Sequence, residues 1–163
     1  MRDSLLAEFD QEMAVTRRVL ERAPEAAFTW KPHEKSFSLG GLATHLAQLP
    51  RWGSHILSHA FYDLATSSGR HAEQTTVAGV LAAFDENVSD VRRALVAQSD
   101  AELASTWSLK RGTHTVLSMP RIAAIRSFLI HHVIHHRGQM TVYLRLQGVP
   151  LPPIYGPTAD ERM

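Results

Sequence analysis

Four of the ten histidines fall within six consecutive positions, in the stretch His131-His132-Val133-Ile134-His135-His136-Arg137-Gly138-Gln139. Histidines four residues apart on a helix project from one face, one turn above another. Such a pair can offer two ring nitrogens to a divalent metal ion if it faces the interior. Apolar residues around the cluster recur at Ile122, Ile125, Leu129, Tyr143 and Leu146, the three-four spacing of a core-facing helix. Continuing that stripe through the cluster places His132, His136 and Gln139 on it, with His131 and His135 on its flanks. A buried imidazole needs a partner for its ring nitrogens, and a metal ion is one such partner.

Sites of this kind usually need at least three protein ligands. A third is expected from His45, which lies between Leu42 and Leu49 on a second amphipathic stretch. There Leu42, Leu49 and Ile56 form one row of the apolar stripe, and His45, Trp52 and His59 form the other. His59 shares the stripe but stands fourteen residues further on, about 21 Å along a helix axis, too far to share an ion with His45. His33, His55, His71 and His114 read as surface residues or local caps. The competing reading is a solvated histidine-rich face at an oligomer interface.

The elements that must position these side chains follow from the same periodicity. Leu5, Phe9, Met13, Thr16 and Leu20 mark a first helix over about residues 4–23, stopped by Pro24. Residues 24–37 form a loop whose Phe28, Trp30 and Phe37 are expected either to reach the open side of a metal bound at His45 or to cap the bundle core. Ser38 is the expected N-cap of that helix. Pro50 lies inside it and predicts a kink one turn beyond His45. Residues 62–75 read as a crossover with loop composition at 67–70. A third helix spans about 76–98, on Val77, Phe84 and Val91 in one row and Leu81, Val88 and Leu95 in the other. Residues 100–119 read as irregular, with a possible short hairpin around Lys110-Arg111-Gly112. The last helix starts near Met119-Pro120 and ends at Gly148, ahead of Pro150. Phe128, Val142 and Val149 lie on its flank beside His135, with Ile130 and Leu144 further round. That excess of apolar surface calls for cover by the proline-rich tail or by a second subunit.

These residues resemble the DinB-like (DinB/YfiT) family in three places. The segment from Trp30 through Ser38 to His45-Leu46 is similar to the family's loop and second helix. His132-Val133-Ile134-His135-His136-Arg137-Gly138-Gln139 is similar to its His-x-x-x-His-Arg-Gly-Gln segment. The tail from Pro150 to Glu161 resembles that of one branch. The resemblance implies an all-α four-helix bundle with a long crossover, a small irregular or hairpin insertion before the last helix, and one domain over residues 1–163. It implies a divalent metal held by His45, His132 and His136, the three reached by periodicity. It also implies a homodimer and, among members with a known activity, thiol-dependent transfer or isomerisation.

Composition narrows the chemistry. The 163 residues can bury roughly 70% of their unfolded surface, enough for a core without staples. There are no cysteines, so disulfides, thiolate ligands and a cysteine nucleophile are excluded, and any thiol must arrive as a cosubstrate. Seventeen basic against sixteen acidic residues give a net charge of +1. Arg17, Arg18 and Arg22, or Arg92 and Arg93, read as solvated helix faces and not as the basic stripe of a nucleic-acid binder. With neither a signal peptide nor a membrane span in the pattern, the cytoplasm is expected.

Three neutral imidazoles leave a divalent ion with its full charge and an open position, as in catalytic zinc sites. The ion suits Zn or Ni, although imidazole also suits Cu and Fe. Thiol transfer to an electrophilic small molecule is the leading expectation. Hydrolysis would want a carboxylate beside the histidines; Glu8, Asp10 and Glu12 are the nearest uncommitted ones, and surface charge is the expected role of each. A non-catalytic protein for metal sequestration or sensing is the other class.

Overall fold

Leu5, Phe9, Met13, Thr16 and Leu20 are all buried along one face of α1 (Arg2–Leu20). The helix ends three residues before the expected position, closing ahead of Pro24 in tighter turns in which Arg22 N donates to Val19 O and Ala23 N to Leu20 O. Its first turn is capped from afar: Asp100 accepts from the Arg2 backbone N–H at 2.8 Å and from the N-terminal ammonium at 3.1 Å. The computed structural model describes residues 1–66 and 72–162. The loop expected at 67–70 and the surface histidine expected at His71 lie outside them.

Ser38 caps α2 (Leu39–Gln48) by accepting from Gly41 N at 2.9 Å. Gly40 is needed by packing, since a Cβ there would stand 2.9 Å from Cδ2 of buried Phe28. Pro50 opens α3 (Pro50–Ser58) as its first residue, so the expected break one turn beyond His45 is present. α4 (Val77–Val96) begins at the Thr76 N-cap and packs against α1, α2 and α3.

The all-α expectation is corrected here: the protein is mostly helical but carries a small three-stranded sheet. The hairpin suggested around Gly112 is real, formed by β2 (Thr106–Arg111) and β3 (His114–Pro120). A third strand, β1 (Phe61–Asp63), pairs parallel to β2 within the stretch read as crossover. Asp63 fixes that junction by accepting from the backbone N–H groups of Ala65 and Gly112. Residues 100–119 are therefore not irregular. They also hold the short helix α5 (Asp100–Ala104), opened by a reciprocal Ser99–Glu102 capping box.

The last helix runs from α6 (Arg121–Ile125) through one π-helical turn (Arg126–Ile130) into α7 (His131–Leu146). A π turn inserts one residue into the α pitch and rotates everything beyond it. The stripe that begins at Ile125 and Leu129 accordingly continues through Val133, Arg137, Met140 and Leu144, all buried, one residue later than an unbroken helix would place it. Ile130 and Leu144, expected on an outer flank, are core residues, whereas Leu146, expected inside, is 60% exposed. Gly148, at φ +70°, ends the helix, with Val149 N donating to Leu144 O and Gly148 N to Arg145 O. The proline-rich tail then folds back. Arg145 pairs with Asp160, Arg22 with Glu161, and Arg18 donates to the Pro153 carbonyl.

Candidate metal centre

The π turn decides where the histidines point. With the core stripe moved on by one residue, His132 and His136 stand at its edge and not at its centre. They face α2, which packs against α7 and brings His45 opposite them. His45 reaches this cleft from the last turn and a half of α2, ahead of the break at Pro50. The three rings meet: centroids lie 4.5 Å apart for His45–His136, 5.3 Å for His45–His132 and 4.8 Å for His132–His136. One ring nitrogen from each lies within 4.8 Å of the others. Nitrogens sharing one ion at roughly 2.1 Å in a tetrahedral site stand about 3.4 Å apart, so the rings are already near the spacing of a shared ion.

The electrostatics favour neutral ligands. Burial pushes His45 down from 6.5 to about 4, with the neighbouring His136 and His132 adding to the effect. Burial also lowers His132 and His136. Three neutral imidazoles present lone pairs at pH 7, which is what a divalent cation requires. Gln139 biases the tautomer of His136. Its Oε1 lies 2.7 Å from His136 Nδ1, a contact that favours the tautomer protonated on Nδ1, with Nε2 as the free base. That Nε2 is 3.0 Å from His132 Nε2. The backbone of Phe128, one turn back, opposes the downward shift of His132. The donor set and its spacing thus fit a divalent ion.

The neighbours divide into those that reach the site and those that do not. Phe37 stacks on His45, with centroids 5.4 Å and planes 18° apart, and makes a T-shaped contact with His136 at 6.2 Å. Trp30 stands edge-on to Tyr143, whose hydroxyl donates to the Phe37 carbonyl at 3.3 Å. Phe28 instead fills the core beneath Gly40. His131 and His135 are exposed, although the His135 ring stands 4.8 Å from that of His136 in a T-shaped contact. His55 and His59 stack on each other, with centroids 4.2 Å apart, at the C-terminal end of α3.

Of the three α1 carboxylates considered as a base, Glu8 pairs with Arg126 and Asp10 with Arg92 near the surface. The surface reading of Glu12 is corrected: it is buried and forms a 2.7 Å ion pair with Arg137, itself 1% exposed. Arg137 also donates to Thr16 Oγ1 and the Glu12 carbonyl, and the Tyr155 hydroxyl links the two charges at 2.7 and 2.8 Å. Sequence reasoning missed this network. Its one local signal is Arg137, a charge in the register that the π turn makes buried.

The sequence model of the DinB family matches residues 1–162. Solved structures show the same fold at low identity. A DinB-like protein (YjoA) from Bacillus subtilis is 18% identical with a TM-score of 0.72, covering 93% of this chain and 97% of that one. A DinB-like protein from Bacillus cereus is 19% identical with a TM-score of 0.73, covering 94% and 97%. The uncharacterized protein YrdA of Bacillus subtilis is 59% identical over 34 residues, 21% of this chain. The chain thus spans about a fifth (20%) of the length of the curated relative it matches.

Proposed function

Since the chain belongs to the DinB family, we propose that it is a divalent-metal-dependent transferase that joins a low-molecular-weight thiol to an electrophilic small molecule. The observation that carries this reading is the group of His45, His132 and His136, three neutral imidazoles close to the spacing of a shared ion. In this reading they are the metal ligands, Zn or Ni is the ion, and α1, α2–α3, α4 and α6–α7 are the four helices of a single-domain bundle. A bound ion supplies positive charge that favours the deprotonated form of a thiol brought beside it.

The chain's own residues do the rest. The three imidazoles bring no negative charge, so the ion's full attraction is left for the thiol. Gln139 favours the free base of His136 on Nε2. Among the described residues the histidine group includes no carboxylate, and this supports thiol transfer over hydrolysis, which wants a nearby base. In the transfer, sulfur donates an electron pair to the electrophilic carbon. A C–S bond forms, the bond to the leaving group breaks, that group departs with its electron pair, and the thiol proton passes to solvent.

Partners follow from the surface. Among the described residues no helix is long and apolar enough to cross a membrane. Arg17, Arg22, Arg92 and Arg93 are each paired with a carboxylate, which supports a reading without nucleic acid. Val142 and Leu146 are 57% and 60% exposed on α7 and support a homodimer. We assign the protein to the cytoplasm.

The test is a screen of Zn- and Ni-loaded protein with cysteine, glutathione and other small thiols against an activated aryl halide such as 1-chloro-2,4-dinitrobenzene. The expected result is product formation well above that of the free metal with the same thiol, abolished by chelation. Stoichiometric metal binding with only background turnover would replace the enzyme by a metal-sequestering or sensing protein.

A further inference from the structure

Phe37 is an apolar side chain with no core to fill. It is 48% exposed, yet one face of its ring lies on His45 and the ring stands nearly perpendicular to that of His136, 6.2 Å away. A single exposed aromatic is ordinary on a protein surface. Two further facts set this one apart: it stands directly against the three-histidine group, and its loop is fixed on both sides. Tyr143 donates to the Phe37 carbonyl, and Trp30 packs edge-on against that tyrosine. Leu39 N donates to Trp30 O and Gly40 N to Phe28 O, each at 2.9 Å, so the loop is tied to the first turn of α2. The ring is thus held against the histidine group by these contacts, and about half of it remains exposed to solvent.

We propose that the outer face of Phe37 is a stacking platform for the second substrate, and that this substrate is a flat, conjugated electrophile of the aryl type. An offset-stacked ring gains dispersion and quadrupole energy on such a platform, whereas a small alkyl group gains little. A ring bound there lies beside the histidine group, where the thiol is to be activated. The bond that changes rests on the thiol-transfer reading; the binding of the ring does not.

The test uses Zn-loaded protein and two probes, S-(2,4-dinitrophenyl)cysteine and S-methylcysteine, titrated calorimetrically against wild type, Phe37→Ala and Phe37→Trp. Wild type is expected to prefer the dinitrophenyl probe. Phe37→Ala should weaken that probe about tenfold, the scale of one aromatic contact, leave S-methylcysteine unchanged and keep zinc affinity at the wild-type value; Phe37→Trp should restore the preference. Failure of wild type to prefer the aryl probe overturns the proposal. So does equal weakening of both probes, or a parallel loss of zinc, which would make Phe37 only a cover for the ligands. Selective aryl binding without thiol transfer would leave the platform standing and remove the enzymatic reading. Transfer that proceeds equally well from aryl and alkyl electrophiles in wild type and Phe37→Ala would do the reverse.

Discussion

Gln139 Oε1 stands 2.7 Å from His136 Nδ1, one turn along the same helix face, and so favours a free Nε2 on His136. An outer partner of this kind orients the ring and raises its basicity. Gln139→Ala is therefore expected to weaken zinc binding by roughly 10–100-fold with little change in melting temperature, whereas Gln139→Glu should retain or tighten it. Competition against a chromophoric chelator measures both; an unchanged constant in Gln139→Ala would show that the hydrogen bond is incidental.

A second expectation concerns pH. His45 is lowered from 6.5 to about 4 mainly by burial, and His132 and His136 shift in the same direction. Between those two values the unfolded chain binds more protons than the folded one, so stability rises with pH across the window and levels off above it. Urea denaturation of the metal-free protein at intervals from pH 4 to 7 should show this slope, and His45→Gln should flatten it. A slope unaffected by His45→Gln would assign it to other groups.

The Glu12–Arg137–Tyr155 network carries a stability prediction. Both charges are buried, so Arg137→Ala strands a carboxylate and is expected to cost about 3–5 kcal/mol. Tyr155→Phe removes the hydroxyl that links them and should cost ~1–3 kcal/mol. The double variant should fall short of the sum, since the two side chains share one network. Strict additivity in equilibrium denaturation would mean that the tail docks independently of Arg137.

How much of this was legible in the sequence depends on the distance over which each contact acts. His45 could be placed because α2 is a regular helix with a local cap at Ser38, and the i,i+4 pairing of His132 with His136 holds in any α-helix. The stripe beneath them could not be extrapolated. The π turn at Arg126–Ile130 has no local sequence signal, and it moved the core from Leu146 and Gln139 to Met140 and Leu144. That shift leaves the histidines at an accessible edge and not in a sealed core. Glu12 read as surface charge because its partner lies 125 residues away. β1 was missed because three residues pairing with a strand more than forty positions on leave no periodic pattern.

Assembly is checked by mass in solution. With Val142 and Leu146 exposed on α7, light scattering is expected to return twice 18.2 kDa across the micromolar range, and Leu146→Glu should return the single-chain value. A monomer in the wild type would leave those side chains as ordinary exposed residues.

The most direct test of the metal centre is the stoichiometry of bound zinc or nickel after loading and desalting, measured by plasma emission for wild type, His136→Ala and His131→Ala. One ion per chain is expected in wild type and in His131→Ala, whose side chain is exposed on α7, and none in His136→Ala. Equal loss in both variants, or an ion retained without His136, would contradict the assignment of His45, His132 and His136 as the ligands.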